Sequence, residues 1–309
     1  MGGANSPSAN LESLKPDYVF HSVPYDYFYP DHLQAREVWR YARLCYVPYV
    51  GQLIYASKVA DITHHAGYFE LVRLAFLADV WEKDRLLEHH QGPGLRKRIK
   101  VVGSPHAEEI AGSFKRPADK LSQPPSVLWT PRWNTDEGNC HFFDYKDFLL
   151  EMSGCGQIAL TFRPHPLCLP HLLKTGELTR EEHDRYLARL EHCQLARLDL
   201  DGDYLKSLEG HEIFVSDMSS VLADAFLTGK PVIYTHRVDH FNVLGRFMSG
   251  GFYWVRTKDE LAERLLSLAA GNDPLKDRRT ELLAAFKRDH PEGSVGRILE
   301  HIRQDRVCN

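Results

Sequence analysis

The amino-acid sequence predicts an α/β protein of two domains, each built on a parallel sheet. Three observations carry that reading. Short apolar runs alternate with helix-length stretches from residue 17 onward, the pattern of strands joined by helical crossovers. Residues 212–235 give strand, tight turn, helix, turn and strand in one unbroken run. Polar side chains able to hold an anion recur just after the expected strands, where the ligands of open parallel sheets sit.

Residues 1–15 are rich in Gly, Ser, Asn and Pro, a composition that predicts disorder. Met1-Gly2 with Ser6 also fits the loose pattern for N-myristoylation. The first half then predicts a strand at 18–20, ending near His21 and Asp26, and a helix over 32–42. A strand from 44 runs into a loop at Tyr49, and a helix at 69–75, a strand at 74–80, a helix at 81–89 and a strand at 99–102 follow. Three or four strands are few for a mononucleotide-binding domain. Residues 114–125, closed by two adjacent prolines, read as a linker. The expected organisation is a disordered 1–16, a domain over 17–115 and a second over 116–309.

The second half predicts strands at 126–130, 157–162, 195–198, 213–215, 232–234 and 252–255. Helices at 145–152, 181–193 and 204–208 lie between them, and helices at 259–270, 275–289 and 294–305 close the chain. In the central stretch, Ile213, Phe214 and Val215 form the apolar run that a strand covered on both faces needs. Asp217 reads as the N-cap of the next helix, with Ser219 and Ser220 in its first turn, and Gly229 and Pro231 end it. Free N–H groups, the helix dipole and two hydroxyls would meet at that start, a ready place for a phosphate.

Four expected strand ends carry such groups: Arg132; Arg163 with His165; Asp217 with Ser219 and Ser220; His236 with Arg237. Arginine offers a planar fork for phosphate oxygens. A histidine between Pro164 and Pro166 sits on a stiff loop, where it could hydrogen-bond a diphosphate or protonate it as it departs. Together they point to an anionic ligand.

Composition narrows the rest. A length of 309 residues suits two domains, and a formal net charge of −4 gives no overall basic field for nucleic acid. Six scattered cysteines without a Cys-x-x-Cys pair fit reduced thiols in a cytosolic protein. No apolar run approaches the roughly 20 residues of a membrane span, and no signal peptide is visible, so the expected location is cytoplasmic. The basic run Arg96, Lys97, Arg98 and Lys100 is the one local hint of peripheral association with a membrane. His165-x-x-Cys168-x-x-His171 is the best metal-like spacing, but Pro166 and Pro170 break its helical periodicity, so no metal is expected.

Phe162-Arg163-Pro164-His165-Pro166, followed by Val215-Ser216-Asp217-Met218-Ser219-Ser220-Val221-Leu222-Ala223-Asp224, resembles the CDP-glycerol glycerophosphotransferase family of teichoic-acid and capsule polyol-phosphate transferases. Val101-Val102-Gly103-Ser104-Pro105, Leu128-Trp129-Thr130-Pro131-Arg132-Trp133 and Gly293-Ser294 with Arg297 are similar to further stretches of that family. The resemblance covers most of the chain from Asp17 on. It implies two Rossmann-like domains of GT-B type and transfer of a polyol phosphate or sugar from a CDP- or UDP-linked donor to a polyol or glycan hydroxyl. No bound cofactor is implied. It further implies that His165 contacts the donor diphosphate, that Ser219 and Ser220 hold its phosphates and that Arg163 neutralises the leaving group. Asp224 would accept from the ribose hydroxyls, and Gly103 would lie at the domain junction. The family's Trp-His-Gly loop, whose histidine is a candidate base, is absent; residues 45–51 stand there instead. His21 and Asp26 are the positional substitutes for that base, and Tyr49 reads as an acceptor-binding or core residue. Nucleotide-sugar epimerases share several of these motifs, so an epimerase is one rival reading. A non-catalytic nucleotide-binding module that has lost its base is the other.

Overall fold

The computed structural model describes residues 11–48, 66–90, 92, 94–114, 121–133, 135, 140–235, 241–290 and 292–307. They fall into two compact units: residues up to 106 with those from 290 onward, and residues 107–289. The last helix therefore folds with the first unit, although the second precedes it in sequence. Residues 11–14, inside the stretch expected to be disordered, form one helical turn with no buried side chain; residues 1–10 and Tyr49 lie outside the described residues.

The first unit holds four strands, β1 (Tyr18–His21), β2 (Arg43–Tyr46), β3 (Val72–Leu77) and β4 (Ile99–Val101), in the order β1-β2-β3-β4 with every pairing parallel. Strand alternation gives it two cores. Leu44, Tyr46, Val72 and Leu77 join one, packed with Tyr68, Phe69 and Leu86 from helices. Cys45, Leu74 and Phe76 join the other, which the closing helix Ser294–Val307 covers through Ile298. Polar ties fix that helix: Asp305 accepts from the Tyr18 hydroxyl at 2.9 Å and from Arg73 Nε at 2.9 Å, and Arg297 Nε donates to Val102 O at 2.8 Å.

Two expected helices differ. The one placed over 32–42 is a 3-10 turn, Asp31–Leu33, and one α-turn, Ala35–Val38. Gln34 between them is extended, with ψ at 154°, and the Asp26 carboxylate takes the Ala35 N–H at 2.8 Å, restarting the backbone there. The helix placed over 69–75 is Ala66–Leu71. From Val72 onward the chain pairs with β2 and then β4, which wins over local helix propensity.

The second unit is a six-stranded, all-parallel sheet of β5 (Ser126–Thr130), β6 (Ala159–Phe162), β7 (Ala196–Leu198), β8 (Ile213–Ser216), β9 (Val232–Tyr234) and β10 (Phe252–Trp254). Its order is β10-β9-β8-β5-β6-β7. Central strands are buried throughout, as the apolar run at 213–215 predicts. Val127, Trp129, Phe162 and Val215 face one core, while Leu128, Phe214, Val232 and Tyr234 face the other. The chain leaves β5 towards β6 and β7, then returns to lay β8 on β5's other side. That reversal puts a topological switch point between β5 and β8, and the crevice beyond their carboxyl ends is where such sheets hold ligands.

The helix Cys168–Thr175 corrects the reading that two prolines break this segment. Pro166 precedes the helix, and Pro170 falls in its first turn, where no intrahelical N–H is required. Among the described residues no helix is long and apolar enough to cross a membrane.

Candidate functional site

The loops after β5 and β8 meet across the switch point, and the buried Asp217 carboxylate is what joins them. Its Oδ1 accepts from the Arg132 N–H at 2.7 Å and its Oδ2 from the His141 N–H at 3.1 Å. The expected N-cap is thereby corrected: Asp217 ties loops together and does not cap the helix. That helix is Val221–Leu227, starting behind Ser220 in αR geometry without a side-chain cap. Burial pushes the Asp217 carboxyl up to about 7, against the opposing pull of the two N–H groups and the Arg132 guanidinium.

Arg132 completes the crossing from the other side, with Nη1 donating to Met218 O at 2.9 Å. Ser219 and Ser220 come next. Ser219 is half-buried and its hydroxyl accepts the Val221 N–H at 3.3 Å, while Ser220 is exposed. Beneath them Thr130 Oγ1 donates to Ser216 Oγ at 2.9 Å, and Ser216 Oγ donates to Thr130 O at 3.0 Å, locking the ends of β5 and β8 together.

His165 lies on the next strand end. Its loop is registered on β5 through its N–H, which donates to Pro131 O at 3.1 Å. The Leu167 N–H donates to His165 Nδ1 at 3.1 Å. Nδ1 is thus an acceptor, so the neutral ring carries its proton on Nε2. The residue is exposed as a whole, and its ring packs beside Trp133 at 6.2 Å between centroids. The protein mass around it and the nearby Arg132 guanidinium disfavour the imidazolium and hold its pKa down to about 4. At neutral pH His165 is a neutral hydrogen-bond donor. A bound phosphate's negative charge would be needed to make it a proton donor.

The other expected residues are placed less openly. Arg163 Nη1 pairs with Asp199 Oδ1 at 2.8 Å and its Nη2 donates to Asp201 O at 2.6 Å, which engages the fork within the ends of β6 and β7. Asp224 is only 4% exposed and accepts from the Tyr204 hydroxyl at 3.1 Å, inside the fold. His236 and Arg237 lie outside the described residues. In the first unit, His21 is 2% exposed and stacked on Tyr29 at 4.1 Å, and burial lowers its pKa. Asp26 is half-buried, with Oδ1 taken by the Ala35 N–H. Gly103 has a φ of 87°, the left-handed turn that lets β4 pass directly into the helix Pro105–Ser113. His141 and Trp133 are the contributors that residue-by-residue reading passes over. Trp133 adjoins Arg132 in the stretch Leu128–Trp133, whereas nothing in the sequence marks the His141 N–H.

No protein-family model matches the chain, and no curated protein does. Solved structures do. A Listeria monocytogenes structure assigned as a UDP-N-acetylglucosamine 2-epimerase aligns with a TM-score of 0.63 at 15% identity, over 97% of this chain and 77% of its own. A structure of the wall teichoic acid polymerase TagF aligns with a TM-score of 0.56 at 13% identity, over 94% and 74%. The MnaA protein of S. aureus, solved with UDP, aligns with a TM-score of 0.59 at 14% identity, over 95% and 78%. Such likeness establishes the fold: parallel-sheet α/β units of GT-B type.

Proposed function

We propose that the chain is a GT-B-type transferase that holds the diphosphate of a CDP- or UDP-linked donor and moves its polyol phosphate or sugar to an acceptor hydroxyl. The observation that carries this reading is the crossing at the β5–β8 switch point, where Arg132, the exposed His165 and the Ser219–Ser220 turn stand together on rigid strand ends. A cationic fork, a neutral imidazole donor and two hydroxyls suit two linked phosphates. Charge developing on the departing phosphate would be stabilised electrostatically by these groups. Arg163 would act more remotely, since Asp199 already neutralises it. For the acceptor's proton, Asp26 is the better candidate of the two first-unit residues, because His21 is closed to solvent.

Ser219→Ala/Ser220→Ala is expected to weaken binding of CDP-glycerol or UDP-N-acetylglucosamine at least about tenfold while leaving the fold intact. Unchanged affinity by calorimetry would sink the role of that turn. A second expectation concerns pH. A bound diphosphate offsets Arg132 and raises the His165 pKa, so binding takes up a proton. Affinity for a diphosphate diester, which does not itself titrate near neutrality, is then expected to rise as pH falls from 7 towards 5, and His165→Ala should flatten the profile. A wild-type profile already flat would contradict the assignment.

One observation favours an epimerase as the second reading. Elimination chemistry needs paired carboxylates, and Asp79 and Glu82 form such a pair just beyond β3. Asp79 Oδ1 accepts the Glu82 N–H at 2.8 Å, His290 Nε2 lies 3.3 Å from Asp79 Oδ2, and burial and Asp79 push Glu82 up to about 7. The pair also serves as a reciprocal cap of the helix Val80–His89, with Glu82 accepting the Ala78 N–H at 2.9 Å. Isomerised nucleotide sugar forming without an acceptor would support this reading over transfer.

A further inference from the structure

β5 and β6 are parallel neighbours, so the connections that leave their carboxyl ends run side by side. Cys140 lies on the connection after β5, just ahead of the helix Phe142–Gly154. Cys168 opens the helix Cys168–Thr175 after β6. Although far apart in sequence, the two thiols share a hydrogen bond, and Cys140 packs against the core cluster that contains Cys168. Both are free thiols; Cys168 is 0% exposed, whereas Cys140 is partly exposed.

The pair stands directly behind the switch-point site. The residue after Cys140 is His141, whose N–H donates to Asp217 Oδ2 at 3.1 Å. The Cys168 N–H donates to His165 O at 2.7 Å. One thiol is thus attached to the Asp217 clamp and the other to the histidine loop. The hydrogen bond with Cys140, burial and the nearby Asp217 carboxylate push the Cys168 thiol up. Cys168 therefore stays protonated until a partner sulfur becomes electrophilic, and Cys140 is the sulfur that an oxidant reaches first. Neither thiol has a part in the proposed transfer.

We infer that Cys140 and Cys168 form a redox modification site, closed to a disulfide by a peroxide and reopened by a dithiol, whose closure weakens donor binding at the switch point. The disulfide stands independently of the transferase reading; its effect on donor binding rests on that reading. The Cys140 thiolate attacks one peroxide oxygen and breaks the O–O bond, giving Cys140–SOH and a hydroxide that takes up the thiol's proton and leaves as water. The Cys168 sulfur then attacks the sulfenic sulfur, forming the S–S bond, and its proton leaves with the displaced hydroxide as a second water. The two thiols lose two electrons in all, and the peroxide gains them. Closing the sulfurs from hydrogen-bond contact to a bond of about 2 Å draws residues 140 and 168 together. His141 and the His165 loop move with them, and the 3.1 Å hydrogen bond to Asp217 is the first contact to give.

The test treats the full reduced chain with hydrogen peroxide, caps the remaining thiols with iodoacetamide in urea and maps the peptides by mass spectrometry. A Cys140–Cys168 crosslink that dithiothreitol cleaves is expected, with the exposed Cys155 still alkylated at the same dose. In Cys168→Ala the sulfenic acid should persist on Cys140 and be captured by dimedone, and in Cys140→Ser residue 168 should remain alkylated. The oxidised wild type is expected to bind CDP-glycerol or UDP-N-acetylglucosamine about tenfold more weakly than the reduced chain, with dithiothreitol restoring affinity and Cys140→Ser indifferent to peroxide. Oxidation of Cys155 ahead of the pair, or alkylation of both Cys140 and Cys168 after peroxide, would overturn the disulfide. A crosslink that leaves the affinity of a nucleotide-binding chain unchanged would overturn its control of the site. Failure of the reduced chain to bind either nucleotide would count against the transferase reading alone, because the crosslink is read without nucleotide.

Discussion

Replacing Asp217 with alanine is expected to destabilise the second unit by about 2–4 kcal/mol and to abolish nucleotide affinity, because two backbone donors lose their acceptor at once. The Arg132 and His141 N–H groups stand at the two ends of the connection after β5, and water has little access to a carboxylate that is 1% exposed. Asp217→Asn keeps one acceptor oxygen but sets an NH₂ group against the other N–H, so its loss should be smaller than that of alanine and larger than zero. Urea unfolding followed at several pH values gives a sharper check. A carboxyl raised to about 7 keeps its proton in the folded state at a pH where the unfolded chain has released it. The folded state then binds more protons, so this group's contribution to stability falls as pH rises from about 4 to about 7. The stability gap between wild type and Asp217→Asn should therefore narrow across that window. A gap that widens would mean that the N–H groups and Arg132 outweigh burial, and that Asp217 is ionised throughout.

The second large effect is expected at Asp273. Its Oδ1 holds Arg279 Nη1 at 3.0 Å, its Oδ2 holds Nη2, and Arg279 Nε reaches Gly229 O at 3.3 Å. Asp273→Ala leaves a guanidinium at 2% exposure with no counter-charge and should cost about 3–5 kcal/mol. Removing both charges in Asp273→Ala/Arg279→Met should recover part of that loss, because an uncompensated buried cation is worse than an apolar side chain in its place. The double-mutant cycle separates the two outcomes. Strict additivity would show that solvent reaches the guanidinium and that the pair is not a structural pin.

The parallel sheets and most strands of the second unit were legible because a strand covered on both faces leaves an uninterrupted apolar run, as at Ile213–Ser216. Residues 126–130 were read to the residue. The strand order was not legible, since pairing is decided between segments far apart in sequence, and with it went the fact that Arg132 and Ser219 flank one switch point. Asp217 departs from the expected cap for the same reason. An aspartate before a helix satisfies the local rule, but the His141 and Arg132 N–H groups that claim it come from 76 and 85 residues away. Short helices with long-range anchors, such as Ala35–Val38 under Asp26, escape periodicity altogether. Phosphate-suited residue types could be picked out by kind. Which of them remain open to a ligand, as His165 and Ser220 do and Asp224 does not, is a matter of burial that only the fold decides.

The most direct test of the central claim is titration of the wild-type chain and of Ser219→Ala/Ser220→Ala with CDP-glycerol, CDP-ribitol, CMP, UDP-N-acetylglucosamine, UDP and GDP, read by thermal shift and calorimetry. A ligand at a hundred times its dissociation constant adds about 2.7 kcal/mol of stability, a shift of several degrees for a domain of this size. The switch-point site predicts that cytidine or uridine diphosphate compounds stabilise the wild type and that the double variant loses the effect. No stabilisation by any of them, or stabilisation that survives in the double variant, would contradict it.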